Sequence, residues 1–288
     1  MVGLAECGTH ALTAAAIGAY TTGEPTLTRD LLGALEPGML VLADRNFYSF
    51  ELWTEAAATG AQLLWRTKAG HVLRSHQQLP DGSWLAWLRR FSNYLMRGTD
   101  VEVRVIDYGI DDPGRPQAED RYRLITTITE PAAELAALYP QRWEFETTLD
   151  ELKSHQRGTK VVLRSKQPEL ARQQIYRYLC VHYAIRWLMH VVALEADTDP
   201  DRLSFTRTLR AARRTAGSHP GFPPRTLTDA HARARQEMLA ELLPARRLRA
   251  APRVVKRKMS NYAVKRAEYR TRPQPARRPE DAVVVLTS

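Results

Sequence analysis

The 288-residue chain has little of what membrane and secreted proteins depend on. It holds no apolar run long enough for a membrane span, and its N-terminus lacks the charged region and apolar block of a signal peptide. Its two cysteines, Cys7 and Cys180, are too few for a disulfide framework or a cysteine zinc cluster. Its eight histidines show no HxH or HxxxH spacing. These absences predict a cytoplasmic protein.

Acidic residues become scarce toward the C-terminus. Residues 201–288 hold 21 Lys/Arg and 7 Asp/Glu, a balance of +14, whereas residues 1–200 hold 21 and 25, a balance of −4. A strongly basic segment on a nearly neutral body favours a polyanionic partner, and nucleic acid is the commonest one. A solubilising tail is the alternative interpretation.

The first part of the chain alternates short apolar runs with helical spacing. Strands are predicted at residues 2–7, 11–17, 39–43 and 61–67. Helices are predicted at 27–35, capped by Thr26 or Thr28, and through 59 after a Ser49 cap, with Gly60 closing the second. The run at 39–43 is continuously apolar, which is typical of a parallel strand covered on both faces. Asp44 follows it directly, at the strand end where open α/β sheets place functional residues.

The pattern changes at residue 68. Short alternating segments at 84–91, 101–108 and 121–128 predict an antiparallel β-rich insertion. Helices are predicted at 131–138, 168–194, 203–214 and 229–243, with the aromatic residues Tyr176, Tyr178, Tyr183 and Trp187 of the second interpreted as core. The run 246–278 is basic with few apolar anchors and predicts poor order on its own. The domains expected are 1–67, 68–129, 130–216 and a basic tail, 217–288.

The stretch LYPQRWEFETTLDELKSH, residues 138–155, organises these observations. On a helical wheel of about 100° per residue, one stripe carries Tyr139, Arg142, Glu146 and Lys153, between an apolar edge and a polar edge. A surface amphipathic helix with an ordinary Arg142–Glu146 pair is the alternative interpretation.

Two carboxylates, Asp44 and Glu146, are the best candidates for chemistry. Phosphodiester cleavage requires carboxylates that hold one or two Mg²⁺ ions, and Arg142 and Lys153 suit phosphate binding. Tyr139 could hydrogen-bond a phosphate oxygen. A glycosidase also uses two carboxylates, but it has no need of a cationic stripe or a basic tail.

The spacing Tyr, two residues, Arg, three, Glu, six, Lys resembles the signature of IS4-family DDE transposases, including the Trp143 that follows the Arg. MLVLADRNF, residues 39–47, is similar to that family's second-aspartate segment. The resemblance runs from about Gly3 to Thr215. It implies an α/β, RNase H-like fold with a β-rich insertion and a helical, basic C-terminal region.

By this resemblance Asp44 and Glu146 are the second and third catalytic acids and bind Mg²⁺, for which Mn²⁺ can substitute. Tyr139, Arg142 and Lys153 are the DNA-binding residues. The implied partners are double-stranded DNA, at transposon ends and target, and a second copy in a synaptic homodimer. The implied location is cytoplasmic and nucleoid-associated, with no membrane.

One feature of the family has no match in the chain. The family's first aspartate lies on the first, central strand of the fold, and no Asp occurs here before Asp30. Glu6 lies on a different strand. The expectation is an N-terminally truncated transposase, impaired in metal-dependent nicking and strand transfer. The alternatives are a non-catalytic DNA-binding remnant and, less favoured, a structural or RNA-binding protein.

Overall fold

A computed structural model describes residues 1–68, 70–89, 100–112, 121–158, 162–218, 224–244, 254–255, 263–264 and 277–287. The strands are β1 Val2–Ala5, β2 Leu12–Ala16, β3 Leu40–Ala43, β4 Gln62–Thr67, β5 Arg74–Gln78, β6 Trp84–Leu88, β7 Val101–Ile110, β8 Tyr122–Thr126, β9 Val254–Val255, β10 Ala263–Val264 and β11 Val283–Val285. The α-helices are α1 Glu24–Arg29, α2 Phe50–Ala57, α3 Ala132–Leu138, α4 Glu144–Asp150, α5 Pro168–Glu195, α6 Phe205–Ser218, α7 Pro224–Leu239 and α8 Pro279–Ala282.

The chain divides into two compact units. The hairpin–helix unit comprises Met1–Thr22 and Trp143–Arg246, and the sheet unit comprises Gly23–Arg142 and Arg247–Ser288. The mixed α/β architecture predicted from the sequence is confirmed, and it is consistent with an RNase H-like fold. No helix within the described ranges is both long and apolar enough to cross a membrane.

The sheet unit is built on a seven-stranded mixed sheet in the order β3-β4-β8-β7-β6-β5, with β11 added antiparallel to the end of β7. The side chains of β4 enter two different cores in turn, because successive side chains of a strand point to opposite faces of the sheet. Leu63 and Trp65 pack under α2, and Leu64 packs under α3. Residues 68–129 thus supply antiparallel strands to the sheet that also contains β3.

Two local predictions in this unit are confirmed. Ser49 caps α2, its hydroxyl accepting a hydrogen bond from the N–H of Leu52 at 3.1 Å. Gly60 follows the helix with φ +84°, a left-handed conformation that favours glycine.

The double coverage predicted for 39–43 is met only in part. Val41 packs against the core under α2 and Leu42 against the core under α3, whereas Leu40 is 36% exposed. β3 pairs in parallel with β4 as expected, and the described residues supply no strand for its other edge. β3 is an edge strand, and only its last residue, Ala43, is buried.

The hairpin–helix unit contains the antiparallel pair β1–β2, with Val2 opposite Ala16. One apolar cluster joins Leu12 of the hairpin to Leu152 and Leu179. Another lies among α5, α6 and α7 and includes Met189 and Met238, both fully buried.

The stretch 138–155 is not one regular α-helix. A 3₁₀ segment, Tyr139–Trp143, precedes α4, and a π-helical segment, Glu151–Gln156, follows it. The rotation per residue therefore differs among the three parts. The wheel drawn at 100° per residue does not give the true positions of Tyr139 and Lys153 relative to Glu146.

Other boundaries and burial predictions need correction. The first helix starts at Glu24 with Gly23 as its N-cap, rather than at Thr26 or Thr28. The helix expected at 229–243 is Pro224–Leu239. On α5, Tyr176, Tyr183 and Trp187 are 44%, 44% and 58% exposed, so they are not core residues. Most of 246–276 lies outside the described residues, and β11 was not anticipated.

Candidate active site

Asp44 lies where the sequence analysis placed it, directly after β3. One carboxylate oxygen accepts a hydrogen bond from the backbone N–H of Arg45 at 2.7 Å. The backbone carbonyl of Asp44 accepts from the N–H of Phe47 at 3.0 Å, which forms the turn that ends the strand. The side chain is 30% exposed, so it remains accessible to a ligand.

Two other predicted site residues meet Asp44 within the sheet unit. A guanidinium nitrogen of Arg142 lies 3.8 Å from the second carboxylate oxygen of Asp44. Arg142 also stands over the ring of Tyr139, 5.9 Å from its centroid. Arg142 places a cation beside the Asp44 carboxylate. A guanidinium in this position suits an anionic substrate.

Tyr139 has a contact that the sequence analysis did not anticipate. Its hydroxyl donates to the carbonyl of Ala43 at 3.1 Å, and its side chain is buried. Burial raises the pKa of Tyr139, which keeps the phenol protonated. The bond fixes the 3₁₀ segment against the end of β3, one residue before Asp44.

Glu146 and Lys153 lie in the hairpin–helix unit. Glu146 is a half-buried residue of α4, and Lys153 is an exposed residue of the π-helical segment. The expected proximity of Glu146 to Asp44 stays a prediction, because the two carboxylates belong to different units. Glu6 is committed to a turn, since its carboxylate accepts hydrogen bonds from the N–H groups of Gly8 and Thr9 at 2.9 and 2.6 Å.

A buried polar cluster in the hairpin–helix unit was missed by the sequence analysis. The His10 cluster consists of His10, Glu144, Glu151, His182, Arg186 and Asp201. Nε2 of His10 lies 2.7 Å from a Glu144 oxygen and 3.2 Å from an Asp201 oxygen. These atoms converge closely enough to hold a metal ion.

Glu151 anchors the other side of the cluster. Arg186 donates to it through Nε at 2.9 Å and through a second, shorter contact. His182 lies 3.3 Å from the same carboxylate. Burial alone would raise the pKa of Glu151, but hydrogen bonds from His10 and His182 and the charge of Arg186 lower it to about 2.

Asp201 behaves in the opposite way. Burial raises the pKa of Asp201 above its ordinary value, and the neighbouring Asp199 and Glu151 carboxylates raise it further. His10 and Arg186 lower it, but they do not outweigh the other causes. The cluster therefore holds one strongly stabilised carboxylate and one poorly stabilised carboxylate.

Spacing could not reveal this cluster, because its members come from the hairpin turn, α4, the π-helical segment, α5 and the turn before α6. A weaker signal was present in α5. His182 and Arg186 are four residues apart on the face that also carries Met189 and Ala193, all of them buried. A charged residue on an apolar face predicts a buried partner.

Comparisons with known proteins identify the family of the chain. Residues 5–184 match the family described as Transposase DDE domain. Over 277 residues the chain is 28% identical to the transposase InsG for insertion sequence element IS4 of Escherichia coli (strain K12), covering 91% of this chain. The chain belongs to the DDE-domain transposases and, among these, to the IS4 family. It spans 60% of the length of that relative.

Proposed function

We propose that this chain is built for metal-dependent nicking and strand transfer of DNA at transposon ends. The observation that carries the proposal is Asp44, an accessible carboxylate at a strand end with Arg142 3.8 Å away, in a chain of the DDE transposase family. The substrate is double-stranded DNA, and two copies of the chain would pair the two transposon ends.

Asp44 and Glu146 would hold Mg²⁺, or Mn²⁺ in its place. Both offer the carboxylate oxygens that these ions prefer, and Asp44 keeps part of its side chain exposed. The metal, when bound, would activate water or a DNA 3′ hydroxyl and stabilise the leaving oxygen.

The remaining residues bind and position DNA. Arg142 is suited to a forked contact with a phosphate, and Lys153 to a single charge contact. Tyr139 positions Arg142 and the end of β3, since its hydroxyl is bonded to Ala43. The basic residues beyond 245 add attraction that does not depend on sequence.

By the family resemblance a third acid, the first aspartate, completes the catalytic set. We propose none of these 288 residues for that role, since Glu6 is held in its turn. Removing a residue that supports a metal ligand lowers metal affinity or activity by roughly 10- to 100-fold. Losing an anionic ligand itself should cost at least as much. We therefore expect weak or absent cleavage by these 288 residues alone.

The test is a cleavage assay with labelled transposon-end DNA and Mg²⁺ or Mn²⁺. The chain itself should give no product above background. A chimera that adds the part of the E. coli relative outside the 60% matched by this chain should cleave, and Glu146→Gln in that chimera should abolish cleavage. Glu134→Gln, at an exposed acid of α3, is the matched control and should keep activity. Robust cleavage by the chain alone would show that the site is misassigned.

The second candidate is a DNA-binding protein without catalysis, which the +14 balance of residues 201–288 favours. Its test is the slope of log affinity against log salt, which reports the number of phosphates neutralised. Deleting 246–288 would also remove β11 from the sheet. Replacing Lys256, Arg257, Lys258, Lys265 and Arg266 with serine leaves β11 in place and should flatten the slope. An unchanged slope would locate DNA binding elsewhere.

A further inference from the structure

Three carboxylates converge on the two histidines and the arginine of the His10 cluster. They are Glu144, Glu151 and Asp201, and their side chains are 20%, 8% and 17% exposed. Arg186 donates to Glu151. Glu144 and Asp201 both lie beside Nε2 of His10, and one oxygen of each converges with that nitrogen in the way that the ligands of one metal ion do.

The ligand atoms suit a small divalent ion. Zinc binds His nitrogen and carboxylate oxygen at 2.0–2.2 Å, so that neighbouring ligands in a tetrahedral site lie about 3.3 Å apart. The two separations from Nε2 of His10 are 2.7 Å to Glu144 and 3.2 Å to Asp201. Small side-chain rotations would open the shorter separation. One imidazole and two carboxylates also give a neutral site with a divalent ion.

His10 is held in place by the backbone of the hairpin turn. Its φ is +57°, a left-handed conformation that is uncommon for residues other than glycine. Its N–H donates to the carbonyl of Glu6 at 2.9 Å, and the Glu6 carboxylate organises the same turn. The imidazole is fully buried. The ligand is therefore fixed before any ion binds.

The second ring nitrogen of His10 faces both Arg186 and Glu151. Nδ1 lies 2.6 Å from a guanidinium nitrogen of Arg186 and 3.8 Å from a Glu151 oxygen. A metal bound at Nε2 would leave the ring proton on Nδ1, and Glu151 is the carboxylate placed to accept it once Arg186 moves from Nδ1. Carboxylate–histidine–metal arrangements of this kind are common.

A mixed nitrogen and oxygen set suits zinc and its neighbours, whereas Mg²⁺ prefers oxygen ligands with several waters.

We propose that His10, Glu144 and Asp201 bind one divalent transition-metal ion, Zn²⁺ or a close relative, at a structural site whose ligands include neither Asp44 nor Glu146. The ion would join three segments of the hairpin–helix unit: the turn after β1, the start of α4 and the 3₁₀ turn Pro200–Arg202. The proposal does not depend on the proposed function.

The test uses the full chain without a histidine tag, stripped with chelator and then titrated with Zn²⁺ alone. We expect one equivalent of tightly bound zinc and a rise in the unfolding temperature. Bound Co²⁺ should show the visible absorption of a tetrahedral site. His10→Gln and Asp201→Asn should each lower the zinc affinity by on the order of 100-fold and remove the Co²⁺ absorption.

Two controls separate this site from others. His155→Gln removes an exposed histidine that lies 3.4 Å from Asp150, and it should keep the zinc. Asp44→Asn removes a proposed catalytic ligand, and it should also keep the zinc. Folding of each variant is checked by circular dichroism.

Two results would overturn the proposal. If less than about a tenth of an equivalent binds, or if folded His10→Gln keeps the same zinc affinity, the cluster is held together by its protons and ion pairs alone.

Discussion

The two units bury carboxylates in opposite ways. In the sheet unit, Asp107 is fully buried, and Arg123 donates to both of its oxygens at 2.8 and 2.9 Å while Arg121 adds a third contact. In the hairpin–helix unit, Asp201 shares the Nε2 side of His10 with Glu144. Arginine exceeds carboxylate in the first cluster, and carboxylate exceeds arginine in the second.

The two clusters differ in how the protein stabilises a buried carboxylate, and the direction of the pKa shift shows the difference. Burial alone would raise the pKa of Asp107, but the hydrogen bonds and charges of Arg123 and Arg121 lower it below its ordinary value. For Asp201, burial prevails and the pKa is raised. A buried acid with its own cations stabilises the fold by itself, whereas a buried acid among other acids favours the uptake of a cation or a proton.

The largest effect should come from removing the arginine of the balanced cluster. Arg123→Met leaves Asp107 buried with only the half-exposed Arg121, and it also removes the bond to the carbonyl of His71 at 2.8 Å. We expect a loss of about 3–5 kcal/mol in the free energy of unfolding. Urea unfolding followed by tryptophan fluorescence measures it, because Trp53, Trp65 and Trp84 are all buried in this unit.

The matched control for this prediction is Arg29→Met. Arg29 pairs with Glu55 at 2.8 Å, but the two side chains are 42% and 41% exposed. A pair of this kind contributes less than about 1 kcal/mol. Equal losses in the two variants would mean that the Asp107 cluster contributes no more than a surface ion pair.

The next effect compares Asp107→Asn with Asp201→Asn, each measured in chelator. A carboxyl whose folded pKa is lowered adds stability above its unfolded pKa, near 3.8, and this stability is lost as the pH falls through the folded value. Asp107→Asn should therefore cost about 2 kcal/mol at pH 7, and the difference from the parent should shrink below pH 4.

Asp201 should show the opposite sign. A carboxyl whose folded pKa is raised adds stability below its unfolded pKa, near 3.8, and this stability is lost as the pH rises through the folded value. Asp201→Asn should therefore cost nothing at pH 7 or gain up to about 1 kcal/mol. Parallel pH profiles for the two variants would remove the distinction between the clusters.

The smallest effect compares two helix caps. Ser49→Ala removes the bond to Leu52 and should cost about 1 kcal/mol. Asp199→Ala removes a similar bond, from the N–H of Asp201 at 2.9 Å. It also removes a charge that raises the pKa of Asp201. Its cost should therefore be smaller than that of Ser49→Ala, by thermal or urea unfolding. If Asp199→Ala lost more unfolding free energy than Ser49→Ala, the Asp199 carboxylate would have little effect on Asp201.

Much of the sheet unit could be predicted from the sequence because its signals are local. The Ser49 cap, the left-handed Gly60 and the apolar run of β4 each depend on a few neighbouring residues. The position of Asp44 at a strand end followed from the same kind of signal. The family resemblance then assigned chemistry that no local pattern carries.

The rest depends on contacts between distant segments. How far the faces of β3 are covered depends on α2 and α3, which come from other parts of the chain, and Val41 and Leu42 remain only partly buried. The 3₁₀ start and π-helical end of the 138–155 stretch break a periodicity that the sequence itself keeps. His10 and Asp201 are 191 positions apart in the printed sequence, so only the fold reveals that they meet.

β11 anchors the C-terminal side of the basic segment. Val283–Val285 is hydrogen-bonded to β7, so the residues that follow the segment belong to the sheet. An anchor keeps the groups attached next to it at a high local concentration. A single proteolytic cut between residues 265 and 276 would therefore leave Val283–Val285 on the sheet and break its covalent link to the charges that precede the cut.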